Sequence, residues 1–561
     1  MGRISCGILS FFFVACVACG GGAKKSVVTD NTQIYIVGGG IAGLSAAVFA
    51  IRDARVPGKN IHIFESRKVM GGSLDGAGTA PTGYVLRGAR KYNYEVYNCT
   101  WDLMSAIPTL AILKSHGDGV PFKSLKDEFF EFNRTHKKNV KVRLIDKDRN
   151  TDEALTMGLS IPDIFRMVLL IVTPESSIEN RQIDSWFSPA FFKSNFWYVY
   201  ASMFGFEKYS DLVECKRYFQ RFLHGLHQMV KGTAEVVHPL NQYDSLVLPA
   251  KLWLEKQGVD FRPGCRVTDL DFAPTAATTV TRLYYVENGT SKDVAINEGD
   301  FVMVTNGSMT ADSRTGSMAA SPVCERGKLD GSWTLWENIV KKRPGRGMGN
   351  PAVFDSHIDR TKWIVFAVTS QDSIFTDLFE KKTGNKPGQS DLVTLKDSGW
   401  LMSIHVPDQP QFLNQPPHVK LWGGYGLYSD AVGNYVKKKM SDCNGREILT
   451  EVCLQLGFEK ELPRILAASN CIPNMNPYDV AQFMPRKRSD RPKVVPDGSA
   501  NLAFLGQFTE TDECVFLVES SVRSGQMAVY QLLGVNKKIP AIYTGIFNPR
   551  VAVREFIALM K

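Results

Sequence analysis

The chain has 561 residues, 44% of them apolar and 22% charged, with a net charge of +9. That is enough for two or three domains around a large core, and the composition is that of a globular protein rather than a disordered one. Neither zinc-like Cys/His spacing nor a nucleic-acid-binding motif occurs, so the basic balance reads as a solvated surface, with an acidic membrane surface or anionic substrates as the other reading.

Residues 1–30 read as a leader. Arg3 precedes the apolar run ILSFFFVACVAC, which is followed by Gly-Gly-Gly-Ala-Lys-Lys. A short apolar run behind one positive charge resembles a secretory signal, and it is too short for a convincing membrane span. Cys16 and Cys19 also suit lipid attachment, whereas Cys6 stands where a myristoylation site wants Ser or Thr. Of the 11 cysteines, three lie at or before position 19, and the others form no compact framework. Such cysteines point to free, buried thiols and a reducing compartment. The location therefore stays open between a secretory or membrane-associated chain and a cytoplasmic one.

Gln33 to Gly43 read QIYIVGGGIAG, a short apolar strand running into a helix-like LSAAVFAIRD. The spacing is G-x-G-x-x-G at a strand-to-helix turn. Gly38 permits the tight turn, Gly40 lets the backbone approach a pyrophosphate, and Gly43 lets the helix pack close to the strand. The next strand, IHIFES, ends on Glu65, where a carboxylate is expected to bind ribose hydroxyls. Met70-Gly71-Gly72-Ser73 follows directly, and by fold-level analogy this favours FAD over NAD.

The expected fold is α/β: a Rossmann-type FAD-binding domain with inserted substrate-binding and helical domains. Residues 31–110, 236–310 and 481–540 are assigned to the discontinuous nucleotide domain. Residues 111–235 are expected to be mainly helical, residues 311–480 to cap a substrate cavity, and 541–561 to form a C-terminal segment. LEKQGVDFRPGCRVTDLDF predicts helix, strand, turn and strand; FVMVTNGS a central strand; NLAFLGQF a buried strand; ESSVRSGQMAVYQLL a helix.

Several blocks then follow one another in a specific order: GGSLDGAG (71–78), RGARKYNYEVYNCTWDLMSAIPTL (87–110), KSNFW (193–197), KRYFQRFLH (216–224), NQYDS (241–245), NGSMT (306–310), WLMS (400–403), FMPRKRSDRPKVVP (483–496), GQFTE (506–510) and ESSVR (519–523). From about Gln33 to about Leu533 the chain resembles the oleate hydratase family, also called the myosin-cross-reactive antigen family. The resemblance implies an FAD-dependent addition of water to a cis double bond of an unsaturated fatty acid. It also implies a flavin that supports the site more than it transfers electrons, a homodimer, possible peripheral membrane contact and no metal.

Residue by residue, the resemblance makes Tyr218 the proton donor. The family's water-activating Glu sits in a loop that here reads Arg87-Gly88-Ala89-Arg90-Lys91-Tyr92, so Lys91 takes its place. A protonated Lys cannot accept a proton from water, and it serves as a base only if its pKa is lowered by several units. Gln242 matches the family's group for the substrate carboxylate. The segment after WLMS departs from it: His405, Pro407 and Gln411 replace Thr, Asn and His, and Asp408 would repel a carboxylate. The expected cofactor contacts are Gly38, Gly40, Gly43, Glu65, Gly71, Gly72, Ser73, Arg87, Arg90, Gly506 and Glu519. Four readings stay open: a hydratase, a double-bond isomerase, a redox flavoenzyme on a specialised apolar metabolite, and a non-catalytic lipid- or flavin-binding protein.

Overall fold

The computed structural model describes residues 28–86, 90–115, 121–136, 142–152, 156–225, 235–388 and 392–559. Most of the leader, and Arg87, Gly88 and Ala89, lie outside the described residues.

The apolar run at the start of the fingerprint forms strand β1 (Ile34–Val37), and the alanine-rich segment after it forms helix α1 (Ile41–Arg52). Strand β2 (Ile61–Glu65) closes the first unit. Strands β3 (Asp260–Pro263), β4 (Phe301–Thr305) and β5 (Leu502–Leu505) come from far along the chain, and helix α2 (Val518–Leu532) follows the last of them. The five strands lie in the order β5-β4-β1-β2-β3, all parallel. A parallel sheet covered on both faces needs continuous apolar strands, and Ile34, Ile36, Val302, Met303, Val304 and Phe504 are all fully buried.

Two close approaches hold this layer together. A Cβ on Gly43 would lie 2.1 Å from the Gly38 carbonyl oxygen, so only glycine lets α1 sit this near the turn. A Cβ on Gly525 would lie 2.4 Å from Ser45 Oγ, which is how α2 packs tightly on α1.

A second sheet has eight strands, in the order Arg314–Thr315, Ser469–Asn476, Trp363–Ser370, Lys420–Gly426, Met402–His405, Val393–Leu395, Arg143–Ile145 and Thr151–Asp152. The last two strands come from the stretch expected to be mainly helical. Arg143–Ile145 pairs in parallel with Val393–Leu395, a partner some 250 residues away. The helices expected in that stretch are present, among them Leu125–Thr135, Ile161–Val172 and Leu212–Phe222. The expected helix, strand, turn and strand of residues 254–272 are present too, with Gly264 at the turn. Among the described residues no helix is long and apolar enough to cross a membrane, and no cluster of His, Cys, Asp and Glu could hold a metal ion.

Candidate active site

The carboxyl ends of β1, β2 and β4 border a crevice of about 130 Å³. Gly38 has φ +103°, a left-handed conformation that favours glycine. Its N–H donates to the Phe64 carbonyl at 2.8 Å, which turns the chain sharply out of β1. Gly40 caps α1, and Gly71 N–H donates to the Gly39 carbonyl at 2.9 Å. Gly72 lies so near that its Cβ would be 3.2 Å from the Gly40 Cα. The two glycine turns thus form one bare-backbone edge at the N-terminus of α1, where unpaired N–H groups and the helix dipole favour an anion.

Glu65 is buried at the end of β2. Gly39 N–H and Arg67 N–H each donate to its carboxylate at 2.9 Å, one to each oxygen. Burial pushes its pKa up against those donors. The Ser66 hydroxyl also donates to Oε1 at 3.3 Å, so Oε2 keeps a lone pair, and the residue borders the crevice.

Gly38, Gly40, Glu65, Gly72, Ser73 and Gly506 all line this crevice. Gly506 N–H donates to Ser524 Oγ at 2.9 Å, so α2 fixes the turn after β5. Gly43 and Gly71 act through packing and the turn itself. Glu519 is not among the residues that line the crevice. Its carboxylate accepts from Cys99 N–H and Thr100 N–H, both at 2.9 Å, and from the Thr100 hydroxyl at 2.8 Å. It pins the N-terminus of the helix Asn98–Ala106, away from the crevice, and burial pushes its pKa up to about 7. Sequence reasoning missed Thr305, Met309 and Asp330, which also border the crevice. The rule that ligands bind beyond the carboxyl ends of parallel strands points to the residues after β4.

A second cavity, of about 260 Å³, lies against the eight-stranded sheet. Its apolar wall includes Phe204, Phe222, Phe366, Trp422 and Phe516. The structure brings Arg90, Lys91, Gln242, His405 and Gln411 together along the same cavity. Arg90 lies where the two spaces meet. Its guanidinium stands 5.1 Å from the Phe516 ring centre and reaches to 3.9 Å from Met309 Sδ. Gln242 Nε2 donates to the Ser73 carbonyl at 3.3 Å, while its Oε1 is buried with no hydrogen-bond partner among the described residues.

The altered segment also borders the cavity. The Gln411 amide donates to the Asp408 carbonyl at 2.8 Å, and the Gln411 carbonyl accepts from Asn241 N–H and Asn241 Nδ2, both at 2.7 Å. Gln411 therefore holds its own turn. The Asp408 carboxylate lies against the bare backbone of Gly388 at the cavity edge.

Tyr218 is fully buried on the helix Leu212–Phe222, and the structure does not place it in the cavity wall. Its hydroxyl donates to the Val515 carbonyl at 2.5 Å, and burial raises its pKa well above the usual phenol value. Phe204 and Phe222, which flank its ring at 4.8 and 5.6 Å, stand between it and the open space.

The model of the MCRA family matches residues 31–530. The chain belongs to the MCRA, or oleate hydratase, family. An oleate hydratase of Streptococcus pyogenes serotype M49 (strain NZ131) is 36% identical over 553 residues, covering 96% of this chain and 91% of the relative. A linoleate hydratase of Lactiplantibacillus plantarum is 29% identical over 555 residues, covering 90% and 94%. Among solved structures, cyclohexylamine oxidase from Brevibacterium oxydans IH-35A shares the fold with a TM-score of 0.52 at 11% identity, over 90% of this chain and 99% of that one. A putrescine oxidase mutant made in a redesign of cofactor binding does so with a TM-score of 0.50 at 12% identity, over 89% and 98%. The family member described here thus carries a Rossmann-type α/β fold.

Proposed function

We propose that this chain is an FAD-dependent hydratase that adds water to a carbon–carbon double bond of an unsaturated fatty acid or a similar apolar chain. The observation that carries the reading is the meeting of the two spaces. A glycine-edged nucleotide crevice opens beside an apolar cavity, and Arg90 and Gln242 span the boundary. An apolar cavity with a few convergent polar groups suits a long hydrocarbon held for acid–base chemistry. The hydratase names of the relatives support the same chemistry.

The crevice fits FAD. Gly38, Gly40 and the N-terminus of α1 would hold its pyrophosphate, Glu65 its ribose, and Gly72, Ser73 and Gly506 the stretch toward the cavity. Bound there, FAD supplies an ordered polar surface at the cavity end rather than electrons for the net reaction. The rest is the chain's own work. The aromatic wall excludes bulk water and orients the hydrocarbon. Lys91 borders the cavity at the position where the resemblance puts the family's carboxylate.

The test is mass spectrometry of oleic and linoleic acid incubated with the protein and reduced FAD, without oxygen, in ¹⁸O-labelled water. A product heavier by one labelled water supports the reading. An unchanged mass with a moved double bond replaces it with isomerisation, and no change at all removes it.

A further inference from the structure

Two titratable side chains in the cavity wall have no place in the acid and base expected from the motifs. Tyr92 pairs with Val236 in the short antiparallel ladder Tyr92–Asn93 with Glu235–Val236. That pairing brings the His238 ring to 4.8 Å from the Tyr92 ring, and both residues line the cavity. Tyr92 is 1% exposed, and its hydroxyl is buried with no hydrogen-bond partner among the described residues. A buried phenol left unpaired in a cavity wall is costly unless something else meets it there.

His238 is held from behind. Asn133 clamps the residue before it in both directions: Asn133 Nδ2 donates to the Val237 carbonyl at 2.9 Å, and Val237 N–H donates to Asn133 Oδ1 at 3.0 Å. One turn earlier on the same helix, Phe129 sets its ring 5.2 Å from the imidazole, at 70° to it. Tyr97 and Trp101 pack against the Tyr92 ring at 5.1 and 5.6 Å. Locked rotamers of this kind are what a reacting pair needs.

We infer that Tyr92 and His238 are the acid and base of this cavity, Tyr92 protonating one alkene carbon and His238 taking a proton from the water that attacks the other. The inference rests on the hydratase reading. The Tyr92 O–H bond breaks as the alkene π pair forms a C–H bond. A water oxygen then forms the C–O bond at the cationic carbon, and its proton passes to a neutral imidazole nitrogen. Return of that proton from the imidazolium to the phenolate restores both groups, with no oxidant or reductant consumed.

The inference also gives Lys91 a task. Burial raises the Tyr92 pKa, and the Arg90 charge pulls it back. Lys91 is a second basic side chain, next to Tyr92 in the chain and along the same cavity. Cationic charge there offsets part of what burial does to the phenol, and it favours a neutral imidazole over an imidazolium. A carboxylate at this position would do the reverse. From the helix behind His238, Phe129 and Asn133 add no charge.

The test uses the full chain with reduced FAD, oleic and linoleic acid, and ¹⁸O-labelled water. Tyr92→Phe and His238→Gln are each expected to lower kcat by about a hundredfold or more, with KM and the bound-flavin spectrum little changed. In His238→Ala, added imidazole should recover about tenfold of the loss by supplying another base, which a merely structural role of His238 would not allow. If His238→Gln fails to take up flavin, His238→Asn replaces it with the same expected loss. Either single variant keeping more than about a tenth of the wild-type rate overturns the inference. A wild-type chain that labels neither acid removes the hydratase reading, and the assignment with it.

Discussion

Gln242 donates from Nε2 to the Ser73 carbonyl at 3.3 Å, so the wall of the large cavity is bonded to the glycine turn of the crevice. The bond joins the π-helical turn that begins at Tyr243 to the 3-10 turn Gly72–Leu74.

That bond sets the first expectation. Gln242→Leu keeps the side-chain volume but removes the donor and leaves the Ser73 carbonyl without it. A lost neutral hydrogen bond of this kind costs about 1 kcal/mol, or about fivefold in affinity. FAD titration of the apoprotein by calorimetry should show that weakening. A variant that binds FAD as tightly as the wild type would mean that the two spaces are not coupled through this amide.

A second expectation concerns acid. Glu510 is buried between Arg217 Nη1 at 3.0 Å and Arg486 Nη2 at 3.3 Å, and it accepts from Asp512 N–H at 2.9 Å. Burial alone would raise its pKa, but the guanidiniums of Arg217, Arg486 and Arg491 hold it well below the ordinary 4.5. A carboxylate with a depressed folded pKa contributes stability above its unfolded pKa and loses it as the pH falls toward the folded one. Glu510→Gln should therefore cost about 3–5 kcal/mol at pH 7, because it leaves buried charge unpaired. The gap from the wild type should narrow as the pH drops below 4.5. Urea melts at several pH values read this directly, and a pH-independent gap would show that the pair does not carry the linkage.

Some of this architecture was legible in the sequence and some was not, for physical reasons. The β1–α1–β2 unit could be read because the backbone there demands particular residues: no side chain fits at Gly43, and Gly38 needs a left-handed angle. The strand Arg143–Ile145 could not be read, because three residues carry no periodicity and its pairing is set by Val393–Leu395 far away. Glu519 sits in a block that matched, yet its carboxylate serves Cys99 and Thr100, about 420 residues earlier. No local pattern states such a partner. His238 has no spacing motif at all; only the ladder to Tyr92 and the Asn133 clamp give it meaning.

Tyr218 supplies the last expectation, because geometry and motif part company there. The motif offers its phenol as an acid, but the proton is committed to the Val515 carbonyl and two phenylalanines lie between the ring and the cavity. Arg217, the preceding residue, anchors the same helix to Glu510, so the helix and the 510–515 segment are tied at two points. Tyr218→Phe should therefore cost about 1–3 kcal/mol of stability, by orphaning a buried carbonyl. It should change the rate of water addition by less than about threefold, far from the hundredfold expected of a lost proton donor. Thermal melts and labelled-water assays on the same preparation separate the two effects. A collapse of activity with stability intact would return the acid role to Tyr218, and would require Val515 to release the phenol when substrate enters.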